Sequence, residues 1–182
     1  NATLNSERRY SCVTRCRRFG KSMAAKMLCA YYDKSCDSRE LFVGLKAEKD
    51  KSFETYLNKY SVLYLDVTSF TARPEFRTNI VRNIQNEMCS ELKKSFPGID
   101  YSDTTDLMGV PSAIHNATDE KFIFIIDEWD AICREFPGRQ KLKGDPESIT
   151  PTILDEYVML LRRLFKTQDS DRVFAGAYLT GI

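Results

Sequence analysis

The run Arg15-Cys16-Arg17-Arg18-Phe19-Gly20-Lys21-Ser22 lies between a short apolar segment, Tyr10-Ser11-Cys12-Val13, and a stretch where Met23, Met27, Leu28 and Tyr31 recur at helical spacing. Strand, tight basic turn and helix in that order constrain the chain strongly. Such a turn aims backbone N–H groups and the positive end of a helix at one spot, where an anion binds. In the pattern G-x-x-x-x-G-K-[ST] the lysine reaches terminal phosphates and the hydroxyl binds Mg²⁺. Gly20, Lys21 and Ser22 hold those three positions. Arg15 stands where the pattern has its first glycine, and a side chain there limits the turn's dihedrals. Taken alone, the loop also reads as a basic, solvated turn that happens to contain Gly-Lys-Ser.

Far downstream, Phe122-Ile123-Phe124-Ile125-Ile126 runs into Asp127-Glu128. The apolar run fits a strand buried on both faces, and its closing carboxylates stand at the edge where open α/β sheets bind ligands. Hydrolysis of a nucleoside triphosphate needs one charge on the metal and a second beside the attacking water. Ser22 and Asp127 are therefore the metal candidates, with Asp127 acting directly or through water. Glu128 is the candidate to orient and deprotonate the water, and Lys21 to stabilise the phosphates. Arg17, Arg18, Phe19, Gly20, Lys21, Ser22 and Met23 form the expected nucleotide-binding set. The plainer alternative is that both acids end a core strand in solvent.

At 182 residues the chain fits one domain and can bury roughly two-thirds of its unfolded surface. With 27 basic and 26 acidic residues it has no global field for nucleic acid or anionic lipid, so any such contact must be local. Six cysteines without a C-x-x-C pair, and a single histidine, His115, argue against a zinc site. The scatter of the cysteines through apolar segments suits reduced, packed thiols in a cytoplasmic protein. No apolar run approaches the roughly 20 residues that span a bilayer, and the first residues lack signal-peptide character. No membrane partner is expected.

Along the chain, Asp37-Ser38 can cap a short turn carrying Leu41 and Phe42, and a brief helix is expected at Phe53–Lys59. Val62 to Thr68 reads as a second buried strand, with Asp66 and Thr68 near its end, either assisting the metal or closing a turn. Pro74 precedes an apolar row, Phe76, Ile80, Ile84, Met88 and Leu92, that predicts one long amphipathic helix closed by Pro97-Gly98. A short helix is expected near Ser112–Asn116, and His115 reads as a surface or capping residue. Arg134 to Ile149 reads as a basic loop, either solvated or covering the nucleotide or touching nucleic acid. Thr150-Pro151 starts a helix with Ile153, Tyr157, Leu160, Leu161 and Leu164 as its core stripe, and Val173 to Leu179 is a last buried strand.

Strands near 10–14, 62–68, 122–127 and 173–180, alternating with helices, predict an α/β three-layer sandwich of the P-loop NTPase type with a mainly parallel sheet. A parallel strand with no helix after it reads as truncation, so residues 1–182 are expected to be the N-terminal domain of something longer.

Thr14 to Ser22, Asp37 to Phe42, Asn58 to Val62, Ile126-Asp127-Glu128-Trp129-Asp130 and Leu179-Thr180-Gly181-Ile182 together resemble the bacterial AAA-ATPase-like family, whose members often carry a C-terminal nuclease-like domain of the PD-(D/E)XK type. The likeness spans nearly the whole chain in order. Members typically show Arg-Pro-Arg-Arg-Phe-Gly-Lys-Ser/Thr in the loop and Ile-Asp-Glu-Tyr-Asp at the acidic strand. Here Cys16 replaces the proline and Trp129 the tyrosine, and Arg15 looks like a family trait. The resemblance implies a Walker A loop with Lys21 on phosphate, Mg²⁺ on Ser22 and Asp127, and Glu128 as base on a Walker B strand. It also implies Thr180 as a catalytic polar sensor beside the γ-phosphate, on a last strand inserted between the first and third. It further implies ATP as ligand, Mg²⁺ as cofactor, and DNA as a partner through a downstream nuclease-like domain. Oligomeric state is not legible.

Three functions compete. The first is a regulatory or motor ATPase. The second is a phosphotransferase, disfavoured because Glu128 directly after Asp127 suits water activation. The third is a non-hydrolysing nucleotide-binding scaffold that recruits nucleic acid or a protein partner through the Arg134–Lys143 loop.

Overall fold

Phe122 to Asp127, five apolar residues closed by an aspartate, is a strand in which every residue is buried. It belongs to a computed structural model that describes residues 9–16, 18–76, 78–101, 104, 106–136 and 152–182. Among these residues one sheet forms from β1 (Tyr10–Thr14), β2 (Ser61–Asp66), β3 (Phe122–Asp127) and β4 (Phe174–Gly181). Its order is β1-β4-β3-β2 and every pairing is parallel. The last strand is thus inserted between the first and the third, as expected.

Parallel neighbours need long crossovers, which helices supply. These are α1 (Lys21–Tyr32), α2 (Phe53–Tyr56), α3 (Thr68–Thr71), α4 (Ile80–Ser95), α5 (Gly109–Thr118), α6 (Ala131–Glu135), α7 (Ile153–Phe165) and α8 (Gln168–Val173). Short 3₁₀ turns occupy Arg39–Phe42, Lys46–Lys49 and Pro74–Phe76. The strand's two-residue period sorts β3 between two cores. Phe122, Phe124 and Ile126 pack with Ile80, Ile84 and Leu92 of α4 and with Tyr157, Leu160 and Leu164 of α7. Ile123 and Ile125 face Ala25, Tyr31 and Tyr32 of α1, together with Phe42, Phe53 and Tyr56. Helix, sheet and helix make the three layers of a P-loop NTPase-like fold.

Register aligns the strand ends. Asp66 pairs with Asp127, Ile126 with Leu179, and Val13 and Thr14 with Thr180 and Gly181. The C-terminal ends of all four strands therefore align along one edge.

Several expectations need correction. β1 is half-exposed rather than buried, because β4 pairs with it on one side only among the described residues. β2 ends at Asp66, since Asp66 closes a turn that starts α3. The long helix begins at Ile80; Pro74 starts a separate 3₁₀ turn that includes Phe76. The helix predicted at Phe53–Lys59 stops at Tyr56, and the one near Ser112–Asn116 runs from Gly109 to Thr118. On α1, Met23 and Met27 face outward while Ala25, Tyr31 and Tyr32 face the sheet. Only Cys89 of the six cysteines is buried, and Cys12, Cys16 and Cys36 are exposed. His115 accepts the capping bond of Asp119 N–H on its carbonyl, and its Nδ1 lies 2.8 Å from the Glu120 carbonyl. Residues 137–151 lie outside the described residues, and with them most of the basic loop and the Thr150-Pro151 start. Within the described part, α7 is capped by Thr152, whose hydroxyl accepts from Asp155 N–H while Asp155 accepts from Thr152 N–H.

Candidate functional site

The basic turn answers the question raised by its missing glycine. Arg15 N–H donates to the Gly181 carbonyl at 3.1 Å, so Arg15 still continues the β1–β4 ladder. The left-handed backbone falls instead on Arg18, at φ 67°, and Gly20, at φ 73°. Glycine is therefore needed at the second position of the pattern and not at the first. Open space surrounds a Cβ built on Gly20, so dihedral freedom and not crowding selects it.

Lys21 opens α1, with its side chain only 5% exposed. Its Nζ donates to the carbonyls of Arg15, at 3.0 Å, and Cys16, at 3.2 Å, and lies 3.7 Å from Oε1 of Glu128. A sequestered ammonium needs compensating dipoles or charge, and the loop carbonyls and Glu128 provide both. It points along the loop toward the acidic strand and not into either core.

The acids arrive from β3. Asp127 is 3% exposed; Oδ1 accepts the Thr180 hydroxyl, and Oδ2 accepts a long bond of 3.4 Å from Tyr64. Burial and then the Asp127 and Asp66 charges push the Tyr64 phenol up. The chain then reverses. Glu128 takes φ 52°, Trp129 N–H donates to the Thr180 carbonyl at 2.9 Å, and Ala131 N–H donates to the Glu128 carbonyl at 2.9 Å. A left-handed glutamate costs on the order of 1 kcal/mol, and the surrounding turn imposes it. The reversal aims the Glu128 carboxylate back over the rim toward Lys21.

Arg18, Gly20, Lys21, Ser22, Met23, Thr68, Glu128 and Arg134 line a cleft of about 380 Å³ at this rim. A larger cavity of about 500 Å³ opens at the β2 edge beside Lys34, Tyr64 and Phe96, but it contains neither the basic loop nor Glu128. Convergent charge, not volume, makes the smaller cleft the candidate site. Of the predicted residues, Gly20, Lys21, Ser22, Met23, Arg18 and Glu128 meet there, whereas Asp127 and Thr180, hydrogen-bonded to each other, are buried and do not line the cleft. Phe19 is 67% exposed and does not line the cleft. Arg17 lies outside the described residues. Asp66 accepts from both the N–H and the hydroxyl of Thr68, which makes its role turn closure, while Thr68 reaches the cleft.

Arg134 was not singled out from sequence as a site residue. It sits on α6 and not in a loop, and its guanidinium bridges Glu128, at 2.8 Å, and Asp130. The opposite charges of Asp130 and Arg134 four residues apart were the available signal.

Among the described residues no group of three or more His, Cys, Asp or Glu side chains could hold a metal ion alone. A cation there would have to be carried chiefly by phosphate oxygens, as is usual for Mg²⁺, because Ser22 is exposed at the cleft while Asp127 is buried. No helix among the described residues is long and apolar enough to cross a membrane.

The family model described as predicted AAA-ATPase matches residues 2–182. The chain belongs to the AAA-ATPase-like family. No curated protein and no solved structure matches it. Membership of the AAA-ATPase-like family supports a general ATPase-like function and nucleotide binding.

Proposed function

We propose that the protein binds ATP with Mg²⁺ in the cleft between the Gly20-Lys21-Ser22 loop and Glu128, and hydrolyses it to ADP and phosphate. The observation that carries this reading is the approach of Lys21 Nζ to within 3.7 Å of Glu128 Oε1, from two segments far apart in sequence. Loop N–H groups and the start of the 12-residue helix α1 attract the phosphates. Lys21 exchanges its carbonyl partners for β- and γ-phosphate oxygens. Ser22 and Asp127 would hold Mg²⁺, which when bound offsets charge on those oxygens. Water oxygen attacks the γ-phosphorus in line as the bond to the β,γ-bridging oxygen breaks; the leaving electron pair goes to ADP and the water proton to Glu128. Thr180, hydrogen-bonded to Asp127 and accepting from Glu128 N–H at 3.4 Å, keeps both acids in register.

Fluorescent-nucleotide binding and phosphate release, measured on wild type, Lys21→Ala and Glu128→Gln, test the reading. Lys21→Ala should lose nucleotide. Glu128→Gln should retain it while turning over about 10²–10⁴ times more slowly. A wild type that binds ATP yet releases no phosphate at any Mg²⁺ concentration would sink the hydrolase assignment.

A further inference from the structure

Glu128 is held by two cations of unequal grip. Arg134 Nη2 is 2.8 Å from Oε2, a charge-assisted hydrogen bond, whereas Lys21 Nζ is 3.7 Å from Oε1, beyond hydrogen-bonding distance. Lys21 has closer partners in the two loop carbonyls. Arg134 is itself anchored, because its Nη1 donates to Asp130, a carboxylate only 12% exposed that also accepts from Ile182 N–H at 3.3 Å. The guanidinium thus runs from the acid at the cleft to one fixed against the end of β4.

We infer that Arg134 is the positioning residue for Glu128: it fastens Oε2 so that Oε1, released when Lys21 turns to phosphate, is the oxygen that accepts the water proton. This rests on the hydrolase reading above. The left-handed backbone at Glu128 sets the direction of the side chain, but its outer torsions still need a partner, and a planar two-pronged donor supplies one. The requirement is orientation of the base, so the effect belongs on the chemical step and not on nucleotide affinity.

The experiment compares wild type, Arg134→Ala, Arg134→Lys, Glu128→Gln and the double variant, in equilibrium binding of fluorescent ATP and in phosphate release at saturating ATP. Arg134→Ala should keep nucleotide affinity near wild type and slow turnover by about 10²-fold. Arg134→Lys, which reaches only one of the two carboxylates, should recover part of the loss. In the Glu128→Gln background the arginine change should slow release no further, since the group it positions is gone. Three results overturn the role: an unchanged rate in Arg134→Ala; a loss of affinity with an unchanged saturated rate, which makes Arg134 a phosphate contact; or an equal slowing with and without Glu128. A wild type that binds ATP without releasing phosphate would overturn the hydrolase reading itself, which separates the two failures.

Discussion

The Thr180 hydroxyl donates to Oδ1 of Asp127 across the β3–β4 pair, and neither residue is more than 3% exposed. Replacing Thr180 with valine keeps the shape and removes the donor, leaving a buried carboxylate oxygen without that partner. A loss of about 1–3 kcal/mol is expected, read as a lower denaturant midpoint at unchanged slope. Thr180→Ser should stay near wild type. A neutral Thr180→Val would mean that the bond carries no stability.

Ser22 lines the cleft one residue after Lys21 and is exposed. If its hydroxyl holds the cation, Ser22→Ala should need roughly tenfold more Mg²⁺ for half-maximal phosphate release, the equivalent of about 1.4 kcal/mol. Binding of ATP without Mg²⁺ should change little. A magnesium titration overlaying that of wild type would remove Ser22 from the metal set.

The sheet and the approach of loop to acidic strand were legible because they rest on local chemistry. Five apolar residues running into Asp127-Glu128 fit a strand buried on both faces, and Gly20-Lys21-Ser22 before a helical pattern fits an anion-binding turn. What failed was whatever depends on which neighbours arrive. Of the helically spaced Met23, Met27, Leu28 and Tyr31, only Leu28 and Tyr31 join the cluster with Phe42 and Phe53, while Met23 and Met27 stand in solvent. Arg134 reads from sequence only as the first residue of a basic loop, because Pro137 and Gly138 follow shortly; its contact with Glu128 depends on the φ 52° reversal, which no periodicity reveals.

Gly181 ends β4 where the chain passes Trp129 and Asp130. A Cβ there would lie 2.6 Å from Asp130 Oδ1 and 2.7 Å from Trp129 Nε1. Neither neighbour yields easily: Arg134 and Ile182 N–H hold Asp130, and the indole nitrogen is buried. Gly181→Ala should therefore destabilise by about 1–3 kcal/mol. It should also shift the fluorescence of Trp129, the single tryptophan. Thermal unfolding matching wild type, with unaltered emission, would show that the contact relaxes freely.

Asp106 ties the start of α5 to α7. It accepts from Met108 and Gly109 N–H, both at 2.9 Å, and from Arg163 at 3.0 Å. Burial pushes the carboxyl up, but the two N–H groups and Arg163 outweigh it and hold it below the ordinary Asp value. A depressed folded value means that the folded state favours the ionised form. The stabilisation is therefore complete above about pH 4, the unfolded value, and fades as pH falls through the lower folded one. Asp106→Asn should be less stable than wild type at pH 7, and the gap should narrow below about pH 4. Denaturant midpoints across that range test the sign; a gap that widens on acidification would contradict it.

Tyr157 is fully buried on α7, and its hydroxyl has no hydrogen-bond partner among the described residues. Burial, and then the proximity of Cys133 and Asp130, push the phenol well up, so the group stays protonated and gains nothing from ionisation. The ring contributes to the core shared with Leu160, Leu164 and Ile84, while the buried hydroxyl has no partner among the described residues. Tyr157→Phe keeps the ring and removes the unsatisfied group, so stability should hold or rise by up to about 1 kcal/mol. Tyr157→Leu should instead lose stability through the vacated volume. Chemical denaturation of both variants separates ring from hydroxyl, and a clear loss in Tyr157→Phe would show that the hydroxyl is hydrogen-bonded after all.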